Sequence, residues 1–169
     1  FTGRPFYYFA YGVAVAEVKI DTLTGENRMM RVDILHDVGN SLNPSIDLGQ
    51  VEGGFIQGAG WLTSEELFYA DDGRLLTHAP STYKIPACAD RPEDFRMALW
   101  EKGRNREETI HRSKAVGEPP LMLGLAVHHA IADAIASVGG PGYVVGLNAP
   151  ATPETILKAV DAAQTKAAS

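Results

Sequence analysis

Glu118 stands in the run Ser113-Lys114-Ala115-Val116-Gly117-Glu118-Pro119-Pro120, directly ahead of the apolar residues 121–127. A helix apolar on every side of its first two turns is expected to be buried, which would put this carboxylate at the mouth of a dry element. Desolvation there raises a carboxyl pKa, while a helix N-terminus and a nearby Lys114 lower it, so the sequence leaves the net sign open. Such a group can take a proton from a reacting oxygen. Gly117 would let a ligand approach the backbone, and the two prolines would hold the carboxylate in place. The competing reading is a structural carboxylate at a helix N-cap.

A second group of residues lies on a helix expected from Asp47 to about Phe68. Leu48, Val51, Phe55 and Leu62 recur at helical spacing and form its core-facing stripe. Gln50, Gly53, Gly54, Gln57 and Gly60 or Trp61 share another stripe, with bare backbone between two carboxamides where Lys and Glu would be usual. Each interior glycine costs about 1 kcal/mol relative to alanine, so something must come close. A second helix packing on small residues would account for it, and so would a flat heterocycle whose polar edge the Gln amides match. The glycines at 49, 53, 54, 58 and 60 do not make a dinucleotide fingerprint.

No protein-only metal site is expected. His128 and His129 are adjacent, about 100° apart on a helix, and His36, His78 and His111 sit in no metal-ligand spacing. No nucleophile-elbow motif occurs.

The elements that must position these residues follow from periodicity. Residues 8–20 and 29–38 read as strands, joined through the turn chemistry of residues 21–26 with Gly25 free to take positive φ. Residues 40–45 are loop by composition, and Asp71-Asp72-Gly73 is a turn. Pro80 and Pro86 leave residues 75–89 irregular. Residues 95–100 form a further strand, and 101–108 a charged loop. A second long helix should open at Pro119 or Pro120 and end near Gly139-Gly140, and a third opens at Thr152-Pro153-Glu154 with Thr152 as N-cap. The expected class is α+β, antiparallel strands with packed helices, without repeat or linker.

Composition narrows the function. The 21 acidic against 15 basic side chains, with no basic run, lack the footprint of a nucleic-acid binder. A single Cys88 excludes an internal disulfide and suits a reducing cytoplasm. The longest apolar stretch, residues 119–127, is short of the roughly 20 residues that span a bilayer, so a soluble protein with no membrane partner is expected.

Taken in order, six blocks resemble the molybdenum-binding subunit of the xanthine dehydrogenase and xanthine oxidase family. They are Thr2-Gly3-Arg4-Pro5-Phe6, Tyr11-Gly12-Val13-Ala14, Asp37-Val38-Gly39-Asn40-Ser41-Leu42-Asn43-Pro44, Gly49-Gln50-Val51-Glu52-Gly53, Pro80-Ser81-Thr82-Tyr83-Lys84-Ile85-Pro86 and the Ser113–Pro120 block. The resemblance implies an enzyme in which molybdenum on a pterin dithiolene hydroxylates purines, hypoxanthine to xanthine to urate. It implies Glu118 as the general base that deprotonates a molybdenum-bound hydroxyl, Gln50 as a hydrogen-bond partner of the pterin, and Gly117 and Val116 as further cofactor contacts. Gln57, Ser81 and Lys114 would stand one layer out.

The family's subunit is several times longer. Residues 1–169 are therefore expected to be one incomplete lobe of a larger molybdopterin-binding domain, and the start at Phe1 without Met agrees with a truncated piece. The remainder of the molybdenum subunit, an iron–sulfur and FAD subunit and the purine are the implied partners, with 2Fe-2S clusters and FAD on other domains or subunits. This chain alone is expected to bind no molybdenum. Aldehyde oxidases share the Gly-Glu-Pro-Pro motif, so an aldehyde-oxidising relative and a non-catalytic binding or structural lobe stand as alternatives.

Overall fold

The computed structural model describes residues 2–168. Alternation of small apolar with polar or exposed residues makes β1 (Gly12–Ile20) and β2 (Asn27–His36) an antiparallel hairpin, with a register shift between Glu17 and Val18. Its turn closes by a 2.8 Å bond from the Gly25 N–H to the Asp21 carbonyl, with Gly25 at φ 75°. β2 is the central strand and carries the inward residues Val32, Ile34 and His36, all buried.

The third strand, β3 (Asp94–Leu99), lies parallel to β2. The α+β class holds, while the all-antiparallel arrangement expected from the sequence gives way to a mixed sheet. Parallel neighbours need a long crossover connection, and residues 37–93, which contain the helix α1 (Pro44–Thr63), supply it.

α1 starts three residues earlier than expected because Asn43 and Pro44 form its cap, not part of the loop. The Asn43 side chain accepts from the Ile46 N–H, and Pro44 takes the first turn, where its missing donor costs nothing. The helix ends at Thr63 instead of near Phe68, because the Ser64 and Glu65 N–H groups both turn back to the Gly60 carbonyl. Val51 and Phe55 of the expected stripe are fully buried, with Leu48 and Leu62 half-buried.

Residues 119–139 fold in two parts, a 3₁₀ segment Pro119–Gly124 followed by α2 (Leu125–Gly139). Together they are long and apolar enough, by length and composition, to cross a membrane, a longer run than residues 119–127 suggested. Here Val127, Ile131 and Ile135 of α2 are packed into the core with β2, α1 and α3 (Pro153–Ala167), while only 22% of the apolar stretch is buried. The first two turns are not buried all round, contrary to expectation: Pro120 and Gly124 are buried, whereas Met122 is 60% and Leu125 40% exposed. α3 is capped as its sequence predicts, the Thr152 hydroxyl accepting from the Thr155 N–H.

All helices lie on one face of the sheet. Val32, Ile34, Phe55, Ile131, Ile135, Ile156 and Val160 interlock there, and the Phe55 and Phe95 rings sit 5.5 Å apart. The other face is bare around Val13 and Val15, which are more than half exposed.

The glycines of α1 divide by what they face. A Cβ at Gly58 would overlap the Leu121 carbonyl oxygen, and one at Gly54 would lie 3.0 Å from Pro120 Cβ, whereas nothing stands near Gly49 or Gly53. Gly124 is the reciprocal position, 2.5 Å from the Ala59 nitrogen for a Cβ placed there. Gly58→Ala is therefore expected to destabilise the protein by about 1–3 kcal/mol through overpacking, while Gly53→Ala raises stability by about 0.5–1 kcal/mol. Thermal unfolding of the two variants checks the contrast.

His36 is 1% exposed, and neither ring nitrogen has a hydrogen-bond partner. Burial pushes its pKa below the ordinary 6.5, Lys114 adding to the effect and Asp37 opposing it. The unfolded chain then binds the proton more readily than the fold, so this contribution to stability is complete above pH 6.5 and is lost as the pH falls below it. His36→Met should flatten that acid-side decline in pH-dependent melting; an unchanged slope would place the titration elsewhere.

Candidate functional site

Two segments meet at the site, and each is placed by backbone packing. Gln50 lies on the exposed side of α1, with the bare backbone of Gly49 and Gly53 beside it and Gln57 two turns along. Ile46, Gln50, Gly53, Gln57 and Trp61 follow one another at helical spacing on this outward face, and none is charged. Asp47 of the first turn is held aside by a 2.5 Å bond from the Ser41 hydroxyl.

Residues 113–118 form the second segment. Ser113 bridges to Gly39, and the Lys114 N–H donates to the Val38 carbonyl at 2.8 Å. The Ala115 N–H donates to the Tyr8 hydroxyl at 2.9 Å. Val116 then packs against the core, Gly117 emerges at the surface, and Glu118 follows. Pro119–Gly124 seats directly on Gly54 and Gly58 of α1.

The result brings Gln50 to Gly117: a Cβ on Gly117 would lie 3.6 Å from the Gln50 Oε1. Val116 and Glu118 flank that contact in sequence. Glu118 occupies the N-cap position of residues 119–124, but its side chain makes no capping hydrogen bond, and it is exposed, not sheltered at the mouth of a dry element as the apolar run suggested. Its carbonyl accepts from the Leu121 N–H at 3.0 Å, which fixes the backbone under the carboxylate.

Lys114 does not face Glu118. Its Nζ lies 2.6 Å from Asp37 Oδ2 and 5.0 Å from the centre of the Tyr11 ring, and it is almost wholly buried. Ser81 is exposed in the turn of residues 79–83, which is tied to the residues just after α1 through Tyr83, whose hydroxyl donates to the buried Glu65 at 2.6 Å. The carboxylate beside it raises the Tyr83 pKa. Neither Ser81 nor Gln57 hydrogen-bonds Gln50 or Glu118.

The glycine stripe thus resolves by position. Gly54 and Gly58 serve close backbone packing, Gly60 lies against Glu65 and Pro86, and Gly49, Gly53 and Gly117 leave bare backbone open to an outside molecule. Among the described residues no three His, Cys, Asp or Glu side chains converge on a metal position. What the surface offers is a carboxamide with donors and an acceptor, a glycine that admits close approach and an exposed carboxylate without a capping hydrogen bond. That set fits the polar edge of a heterocyclic group that brings its own metal, with the carboxylate free to accept a proton.

Sequence reasoning passed over Asp37, Tyr8 and the pairing of Gly58 with Gly124. The four-residue step from Gly54 to Gly58 carried a signal for helix packing, whereas Asp37 and Lys114 are 77 residues apart and nothing local joins them.

Comparison with known proteins agrees with the six motifs. The xanthine dehydrogenase/oxidase of Felis catus is 52% identical over 164 residues, covering 94% of this chain and 12% of that protein. The aldehyde oxidase of Homo sapiens is 46% identical over 167 residues, covering 97% of this chain and 12% of that one. Among solved structures, quinoline 2-oxidoreductase from Pseudomonas putida 86 superposes with a TM-score of 0.75 at 31% identity, covering 85% of this chain and 18% of that one. The chain accordingly spans about an eighth of the length of these curated relatives. A family model described as the molybdopterin cofactor-binding domain matches residues 1–92, more than half of the chain. The chain belongs to the molybdopterin cofactor-binding domain family.

Proposed function

We propose that this chain is part of a molybdenum hydroxylase that oxidises purines, in which Glu118 is the general base and Gln50, Gly117 and Val116 contact the cofactor. The observation that carries the reading is the meeting of Gln50 with Gly117 next to an exposed carboxylate that makes no capping hydrogen bond. Bound there, the molybdenum–pterin group supplies a two-electron oxidant for an electron-poor ring carbon.

The chain's own residues do the rest. The Gln50 carboxamide hydrogen-bonds the pterin edge, and Gly117 leaves the backbone bare so that the group can lie against it. Glu118 accepts a proton from the attacking oxygen. It is held for that task by Pro119 and Pro120, which restrict the backbone, and by the seat of residues 119–124 on α1. The purine is favoured over an aldehyde by the higher identity to the xanthine dehydrogenase/oxidase of Felis catus than to the aldehyde oxidase of Homo sapiens. The iron–sulfur clusters, FAD and the residues that grip the substrate belong in this reading to other segments or subunits. The exposed, unpaired Cys88 suits a cytoplasmic protein.

In the full-length protein, Glu118→Gln is expected to lower turnover of hypoxanthine by about 10²–10⁴-fold, the range for loss of a positioned general base, with molybdenum content unchanged. Near-normal turnover at normal molybdenum content would leave the chain a non-catalytic lobe. Faster oxidation of an aromatic aldehyde than of hypoxanthine by the unaltered enzyme would move the assignment to the aldehyde-oxidising branch.

A further inference from the structure

We infer that the Asp37–Lys114 ion pair is a positioning device that sets where Glu118 stands relative to Gln50; the inference rests on the functional reading above. The pair links the two segments that carry those residues. Asp37 follows directly on β2 and begins the stretch that leads into α1 and Gln50, while Lys114 begins the stretch that ends at Gly117 and Glu118. Neither stretch belongs to a regular helix or strand, so its course depends on the bonds made across the gap.

Those bonds converge on the pair. Asp37 Oδ2 accepts from Lys114 Nζ at 2.6 Å, and its other oxygen accepts from the Gly39 N–H at 2.8 Å, turning the chain toward α1. The Asp37 N–H donates to the Tyr11 carbonyl at 2.7 Å, and the Lys114 ammonium lies over the Tyr11 ring. The Lys114 N–H and Ser113 pair with Val38 and Gly39, and Asn40 donates to the Arg112 and His111 carbonyls. The Asp37 and Lys114 side chains are only 15% and 6% exposed. A Cβ at Gly103 would overlap Asp37 Oδ1, so the loop of residues 101–107 closes the pair from outside. A charge pair withdrawn from water in this way is a poor source of stability compared with apolar side chains of similar size. It does fix direction and distance between two otherwise irregular segments.

The test uses the full-length protein carrying Asp37→Asn with Lys114→Met, which removes both charges together and strands neither. Hydrogen exchange is read by amide position on cofactor-free and loaded protein, and kcat and KM are read on loaded protein. The expected result is faster exchange confined to residues 37–43 and 113–118, with kcat lowered about 10- to 100-fold, as for a displacement of about 1 Å, and KM unchanged. Unchanged exchange in those residues, or faster exchange there with unchanged kcat, overturns the inference.

Should the double variant unfold, Lys114→Arg keeps the charge but alters its reach; a wild-type kcat in that variant overturns the inference, and a lowered kcat at unchanged KM upholds it. Glu118→Gln separates the two claims. If it leaves turnover intact, the functional reading fails while the exchange pattern still judges the clamp. If it abolishes turnover and the clamp variant turns over normally, the clamp alone fails.

Discussion

Backbone contact between α1 and the segment Pro119–Gly124 is the constraint on which the rest of the site depends. Gly58 faces the Leu121 carbonyl with no room for a side chain, Gly54 faces Pro120, and Gly124 returns the contact to Ala59. Side chains at these positions would push the two elements apart, and with them the segments that carry Gln50 and Gly117. Three missing side chains thus convert two elements distant in sequence into one edge. The prolines add stiffness on the side where the carboxylate emerges, since each has its φ fixed by the ring.

Glu118 is the one charged side chain in a site otherwise made of carboxamide and bare backbone, which follows from how it is built. Charged groups nearby are engaged within the fold: Lys114 pairs with Asp37, and the Asp47 and Glu65 carboxylates accept hydrogen bonds from the Ser41 and Tyr83 hydroxyls. Glu118 is left as an exposed carboxylate, without a capping hydrogen bond, near a carboxamide. An exposed acid next to amide donors and bare backbone suits an incoming heterocycle better than it suits a metal ion held by protein ligands alone. Met122, just before α2, and Leu125 at its head stand exposed, as do Val13 and Val15 on the open sheet face.

Much of this was legible in the sequence because it was local. Turn residues around Gly25 gave the hairpin, Thr152-Pro153-Glu154 gave the start of α3, and the double proline marked the entry to residues 119–139. What was not legible depended on distant pairing. β3 runs parallel to β2 because a long crossover brings it there, and no residue within β3 states its direction. Asn43-Pro44 is both a plausible loop and a helix cap, and only the helix that follows decides between them. The apolar run after Pro119 predicted burial, yet its outer residues stand exposed, since hydrophobicity shows that a surface wants covering and not which element covers it. Likewise the Gln50 and glycine stripe allowed both packing and ligand contact, and the fold uses Gly54 and Gly58 for packing while it leaves Gly49 and Gly53 open.

The central claim is that packing of α1 against residues 117–124 presents Gln50 and Glu118 to one bound group. A crystal structure of the full-length, cofactor-loaded protein tests it most directly. The account predicts the Gln50 amide in hydrogen-bond contact with the pterin and the Glu118 carboxylate facing the metal end of the same molecule. A cofactor seated elsewhere, with Glu118 turned to bulk solvent, would contradict it.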